Sequence, residues 1–451
     1  MENAPNTSRR AALRAGFGLT ALAGLSGCGL WDEWFGENKP PLPGKREPVL
    51  AVRRGMKVDE GADKRITLPP PVRNAGWPQT GGNPAHLMGH LAASEVLERS
   101  WSSSIGAGGG YRRKILAQPV IADGVVYAMD SDAYVTAFNM DTGSRLWRAD
   151  TKNEDADSTN IGGGMAVDGG VLYAVNGLAE LVALDAKTGQ LKYRKSFAAP
   201  ARSAPTVAEG RIFFSCIDDR LLAMATDDGR QLWAYQGRTA QTAMLGQPAP
   251  GYADGLVVAG FGSGDLVALR AESGSAAWSD SLGAARGRTA VADLSAVRGL
   301  PVISNNRVFV MGVGGQTVGI DLRTGRRLWE REVGGTESPW VAGEWLFVVS
   351  ADQQIAALNA QDGRIAWVTD LPRWANEEKS KDPIYWFGPI LAGDRLIVAS
   401  SGGDPEALSV SPYTGNILGR KSLPGNAALA PIVAGGTMFQ VTDDGSLIAF
   451  R

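Results

Sequence analysis

A turn glycine, preceded by Thr, Ser or Asp and followed four residues later by an aromatic, recurs along most of this chain. That recurrence limits what the chain can fold into more than any other feature. Asp141-Thr142-Gly143 leads to Trp147, and the register returns at Gly189 with Tyr193, Gly229 with Trp233, Gly274 with Trp278, Gly325 with Trp329 and Gly363 with Trp367. A seventh copy, Thr414-Gly415, has Gly419 where the aromatic belongs. Successive turn glycines are 46, 40, 45, 51, 38 and 52 residues apart. A second anchor precedes each by 19 residues at Gly124, Gly170, Gly210, Gly255, Asn306 and Glu344, and Asp394 precedes Gly415 by 21. Runs such as Val125-Val126-Tyr127-Ala128-Met129 and Leu181-Val182-Ala183-Leu184 read as short strands between these anchors. Each unit is then four strands, A to D, with a tight A–B turn, a variable B–C loop, a Thr-Gly C–D turn and an aromatic closing D. Glycine takes the positive φ that hairpin turns require, and the aromatic fills the seam between neighbouring sheets. Four-stranded units of this length predict the blades of an all-β propeller.

The ends of the array predict how the ring closes. Adding 19 to Gly436 places a Thr-Gly turn beyond Arg451, so the last blade has strands A, B and C only. Glu98-Arg99-Ser100-Trp101 reads as a lone strand D, one repeat of 46 before Trp147. Seven full units and one composite give eight blades, in which an N-terminal strand completes the last blade and removes two sheet edges.

Composition narrows the function. Lys plus Arg number 45 against 47 Asp plus Glu, so the basic excess of a nucleic-acid binder is missing. The only histidines are His86 and His90, both ahead of the blades. They stand four apart, as zinc ligands sometimes do on one helix face, but no third ligand accompanies them. Cys216 lies in an apolar strand and reads as a structural thiol. The acidic loops Glu154, Asp155, Asp157 and Asp404, Glu406 read as solvated charges.

Residues 1–27 read as an export signal: Arg9-Arg10 and Arg14 precede the apolar stretch Ala15 to Leu25, too short to span a bilayer. Arg9-Arg10 resembles a twin-arginine signal, with Ala12 where that pattern has Phe, and general secretion is the other route. Leu25-Ser26-Gly27-Cys28 resembles a bacterial lipobox, which implies acylation of Cys28 and an anchor of more than one chain. Gly29, not Asp, follows Cys28, which favours the outer membrane. Residues 28–75, with Pro40-Pro41-Leu42-Pro43 and Pro69-Pro70-Pro71, read as an extended tether, and residues 76–451 as the propeller.

The pattern Ala-x-Asp-x-x-Thr-Gly-x-x-x-aromatic, displayed at Ala183, Asp185, Thr188, Gly189 and Tyr193, resembles the docking repeat of pyrroloquinoline-quinone-type propellers. The resemblance runs from Trp77 to Arg451. That family holds quinoprotein dehydrogenases and a non-enzymatic branch, the BamB outer-membrane assembly lipoproteins. The adjacent cysteines of many such dehydrogenases have no counterpart here, Cys-x-x-Cys-His is missing, and no histidine lies in the blades. Signal, tether and a single ring together resemble the BamB branch. That resemblance implies a scaffold without catalysis, cofactor or metal. It would bind the periplasmic part of a BamA-type insertase, other Bam subunits and, as further candidates, unfolded outer-membrane proteins, on the periplasmic face of the outer membrane. A quinone-dependent periplasmic dehydrogenase and a glycan- or protein-binding envelope propeller are the alternatives.

Length variation points to one face. A–B and C–D turns are short and uniform, while the D–A links after Trp278 and Trp367 are the longest, 28 and 27 residues to the next anchor against 22 or 23 after Trp233 and Trp147. Asp293, Leu294, Ser295, Val297 and Arg298 in the first resemble a BamB contact loop, with Ala296 and Arg298 replacing its acids. Leu245-Gly246 resembles the end of the neighbouring contact loop, with Leu245 in place of its usual Arg. Trp374, Tyr385, Trp386 and Phe387 in the second are expected as interface aromatics.

Overall fold

The computed structural model describes residues 55–111, 113–152, 160–240, 245–282 and 296–451. Cys28, Glu154, Asp155, Asp157, Asp293, Leu294 and Ser295 lie outside that set. Blade 1 comprises Val120–Ala122, Val125–Met129, Tyr134–Asn139 and Arg145–Asp150, as strands A to D. Six further four-stranded antiparallel sheets of order A-B-C-D begin at Gly163, Thr206, Gly251, Val302, Trp340 and Tyr385. The eighth sheet joins Ile432–Ala434, Thr437–Val441 and Ser446–Phe450 to Arg99–Ser104, so the chain folds as an eight-bladed propeller closed by its N-terminal strand. Strands B and C are apolar on both faces because each is sandwiched between neighbouring blades. Strand D alternates exposed and half-buried at the rim.

The repeat aromatic is the third residue of strand D, not its last. Just before it, the C–D pairing skips one residue in all eight blades. Such a bulge re-aims a side chain, here over the next blade's C–D turn. A Cβ on Gly189 would sit 2.7 Å from Trp147, and the indole donates to the Ala186 carbonyl at 3.1 Å. Trp233, Trp278, Trp329 and Trp367 repeat this on Gly274, Gly325, Gly363 and Gly415. Tyr193 does so on Gly229, through its hydroxyl to Thr226 O at 3.0 Å. These glycines serve twice, through a φ near +70° and through bare space for a neighbour's ring. Proline stands just before the three-residue A pairing segment in seven blades (Pro119, Pro205, Pro250, Pro301, Pro339, Pro389 and Pro431). It removes an N–H donor from the innermost edge.

Residues 55–75 depart from the expected free tether. Met56 and Ile66 are buried in the cores of blades 5 to 7. Met56 N donates to Gln354 Oε1 at 2.7 Å, and Asp59 exchanges hydrogen bonds with Ile365 and pairs with Arg331. Residues 55–75 therefore belong to the same packed unit as the blades. The physical reason is that this stretch finds both apolar burial and backbone partners on the blades.

Residues 72–92 form a strap around the inner strands. Asn74 bonds Val433 and Gly435 of blade 8, Trp77 exchanges two bonds with Ile121 of blade 1, and Pro78 O accepts from Val167 of blade 2. Gln79 Oε1 accepts from Val207 of blade 3, Pro84 O from Tyr252 of blade 4 and Ala85 O from Ile303 of blade 5. Gly89 O accepts from the Trp340 indole of blade 6, and Leu91 pairs with Leu391 and Gly393 of blade 7. The circle closes on itself where Val72 N donates to His90 O and Ala92 N to Val72 O. Trp77, 1% exposed, stacks on Trp340 of blade 6 at 6.3 Å and fills the centre of the ring. His86 and His90 belong to this strap, not to a helix: Nδ1 of each lies 2.8 Å from a carbonyl, Pro301 O and Pro69 O.

Candidate functional site

The antiparallel order places every A–B and C–D turn on one face, the hairpin face, and every B–C turn and D–A link on the other, the crossover face. The candidate contacts cluster on the crossover face, where neighbouring links are tied to each other. Gln247 N donates to Arg202 O of the previous link at 3.1 Å, and Arg202 Nη1 reaches Ile161 O one link further back. Asp219, in the B–C turn of blade 3, accepts from Ala240 N at 2.8 Å, Gln247 Nε2 at 3.0 Å and Gly262 N at 3.4 Å. These groups, with Gly246, Ala296 and Val297, enclose a small cavity of about 30 Å³. Leu245 is 47% exposed above it, and a Cβ on Gly246 would lie 4.0 Å from Arg298 Nε. Leu245, Gly246 and Arg298 thus come together at the surface. Val297 does not join them: it is 1% exposed, its N–H donates to Phe261 O, and its side chain packs where Gly260 leaves room. It is a core residue and not a partner contact.

The link after blade 6 carries an unexpected hairpin, Trp374–Asn376 with Lys381–Pro383. Tyr385 to Phe387 are not loop residues but the start of the long strand A of blade 7, Tyr385–Ala392. Pleating sends alternate side chains to opposite sides: Tyr385 is 56% exposed, whereas Trp386 is 2% exposed. Trp386 donates its indole N–H to Pro372 O at 2.8 Å and packs in the core of blades 6 and 7. Phe387 is half-buried against the core around blade 8. The expectation of a four-aromatic contact patch is corrected accordingly: Trp386 supports the base of the hairpin, Trp374 is half-buried and Tyr385 is the exposed member.

Surrounding links desolvate the Glu337 carboxyl and push it up, opposed by the Gly388 N–H at 3.0 Å, Arg298 and Thr336. Among the described residues no three His, Cys, Asp or Glu converge to hold a metal ion. Cys216 is fully buried and burial pushes its thiol up to about 12, so it is not a nucleophile. Two features escaped sequence reading, the strap and the Asp219 hub. The seven prolines ahead of strand A were the available signal for an inner edge that something else covers.

A family model described as outer membrane protein assembly factor BamB matches residues 101–160 and 131–369. The Yersinia pestis outer membrane protein assembly factor BamB is 26% identical over 360 residues, covering 78% of this chain and 88% of that one. The crystal structure of BamB from Moraxella catarrhalis superposes with a TM-score of 0.67 at 20% identity, covering 79% of this chain and 100% of that one. A europium-containing methanol dehydrogenase shares the fold at a TM-score of 0.65 and 12% identity, over 84% and 98% of the two chains. The family match spans blades 1 to 6 and carries the docking repeat, so this chain belongs to the family of the outer membrane protein assembly factor BamB.

Proposed function

We propose that this chain is a lipid-anchored scaffold without catalytic activity, tethered through Cys28 to the periplasmic face of the outer membrane, whose crossover face docks the periplasmic part of a BamA-type insertase. Membership of the BamB family carries a role in outer-membrane protein assembly and association with the outer membrane. The observations behind the docking face are the convergence of Leu245, Gly246 and Arg298 on cross-tied links and, on the same face, the hairpin of the link after blade 6, which carries Trp374 and is followed by the exposed Tyr385. Exposed apolar and aromatic side chains on a pre-ordered surface suit a protein partner. The opposite face has uniform turns and is sealed at its centre by the strap.

The test is binding of the purified periplasmic region of the cognate BamA-type protein to variants on each face. Leu245→Asp and Tyr385→Ala should each weaken binding, as should Leu294→Asp in the segment outside the described residues. Lys187→Glu, in an exposed C–D turn, should not. Loss of binding only on the hairpin face would reverse the assignment. Cys28→Ala should free the protein from membranes, and retention after a high-salt wash would refute the anchor.

A further inference from the structure

One position recurs in the B–C turns of seven blades. The B–C turns of blades 1 to 6 and 8 each place one residue in the left-handed region: Ala133, Ala179, Asp219, Gly264, Gly315, Gln353 and Gly445. The carbonyl of that residue accepts the N–H of the first link residue in blades 1, 2, 3, 4, 6 and 8, from Thr151, Phe197, Gly237, Leu282, Leu371 and Ile105. The side chain there therefore stands beside the outgoing link. In five of the seven blades it is Ala or Gly and offers nothing polar. In blade 3 it is Asp219, which reaches along the link to Ala240 and Gln247 and across to Gly262. In blade 6 it is Gln353, whose Oε1 accepts from Trp386 N at 3.1 Å, at the far end of the hairpin link. These two links carry Leu245–Gly246 and Trp374–Tyr385.

Asp219 is unusual for its setting. It is 2% exposed and, among the described residues, has no ion-pair partner. Burying a carboxylate is unfavourable unless hydrogen bonds replace water. All three side-chain bonds of Asp219 go to the link or to the next blade's turn, and none to its own turn. The turn itself does not require an acid, since Ala133 and Ala179 hold the same conformation, φ +64° against +57°.

We propose that Asp219 and Gln353 are positioning residues, each presetting one contact-bearing link from the left-handed position of the preceding B–C turn. They touch no partner. They fix the link geometry before binding, so that docking costs less ordering entropy. The proposal rests on the docking face described above.

The test uses the full chain and the alanine that blades 1 and 2 already carry at this position, so Asp219→Ala and Gln353→Ala should fold. In the free protein, hydrogen exchange at Ala240 and Gly262 should rise in Asp219→Ala, and at Trp386 in Gln353→Ala, with the amides of blades 1 and 2 unchanged. Asp219→Asn, which keeps one acceptor oxygen, should fall between. Against the purified periplasmic region of the BamA-type protein, each alanine variant should bind roughly tenfold more weakly, the scale of a lost charged or buried hydrogen bond. Coupling supplies the readout that general destabilisation would not give. Asp219→Ala should be non-additive with Leu245→Asp and additive with Tyr385→Ala, and Gln353→Ala the reverse. Unchanged exchange at the named amides would overturn the positioning role. Raised exchange with unchanged binding, where Leu245→Asp still weakens it, would overturn its purpose. If neither Leu245→Asp nor Tyr385→Ala affects binding, the docking face fails while the exchange result still decides the positioning role.

Discussion

The Trp101 indole donates to the Met140 carbonyl at 3.1 Å and lies where a Cβ on Gly143 would approach it to 2.5 Å. Trp101 belongs to the strand that completes blade 8, and Met140 and Gly143 to the C–D turn of blade 1. This contact closes the ring, supported by Glu98 and Arg451, which exchange backbone hydrogen bonds, and by Arg451 pairing with Asp141. Trp101→Ala should cost on the order of 3 kcal/mol, whereas Leu146→Ala, at an exposed rim position, should stay within about 0.5 kcal/mol. Denaturant unfolding of both variants checks this. Equal stabilities would mean that the closing contact carries no weight.

The strap makes truncation a graded experiment. A chain beginning at Gly55 should melt with the full-length protein. Removal through Ala75 takes away Met56, Ile66 and the Asn74 bonds and should already lower Tm. Removal through Ala92, with the closing strand kept, should lower it further and expose ANS-binding surface. A melting temperature independent of the cut point would show that the strap is dispensable.

His86 gives a pH dependence. Burial lowers its pKa from 6.5 to about 4, the hydrogen bond with Pro301 opposing the shift. Between those values the unfolded chain binds the proton and the folded chain does not, so stability rises with pH through this window. The contribution is complete above pH 6.5 and is lost progressively as pH falls toward 4. At pH 5 the loss should be about 2 kcal/mol relative to pH 7. Unfolding free energies of wild type and His86→Gln at pH 7, 6 and 5 should diverge by that amount. Parallel curves would place the pH response elsewhere.

Trp386→Ala should act through stability and not through contact. The indole is buried and holds Pro372 at the root of the hairpin. The variant should lose about 3 kcal/mol and gain proteolytic sensitivity between Leu371 and Tyr385, whereas Tyr385→Ala should keep the wild-type Tm. A wild-type melting curve for Trp386→Ala would return this side chain to the surface.

Strand count, blade boundaries and closure were legible because each docking aromatic needs a Cβ-free turn in the next blade, which imprints paired spacings on the chain. Even the exception obeys that logic. Gly419 stands where blade 7 should have its aromatic, with nothing within 4 Å of a Cβ placed there. Blade 8 is composite, so its strands C and D are not joined by a Thr-Gly turn that could receive a ring. The strap left no such imprint. It is held mainly by backbone groups of seven different blades, and that kind of pairing constrains side chains weakly. Length variation located the crossover face but not the orientation of its aromatics. The pleat of Tyr385, Trp386 and Phe387 decided that, and it follows from their belonging to strand A.

The strap and the closing strand also set an order of events. Residues 72–104 leave the ribosome before any blade exists, yet their partners extend to Phe450 and Arg451. Closing contacts between such distant segments is the slow step in β-rich folds. These early residues are therefore the last to find their places. Until Phe450 and Arg451 are delivered, every partial ring carries an open edge and an uncovered inner rim, the kind of surface on which incompletely folded chains aggregate.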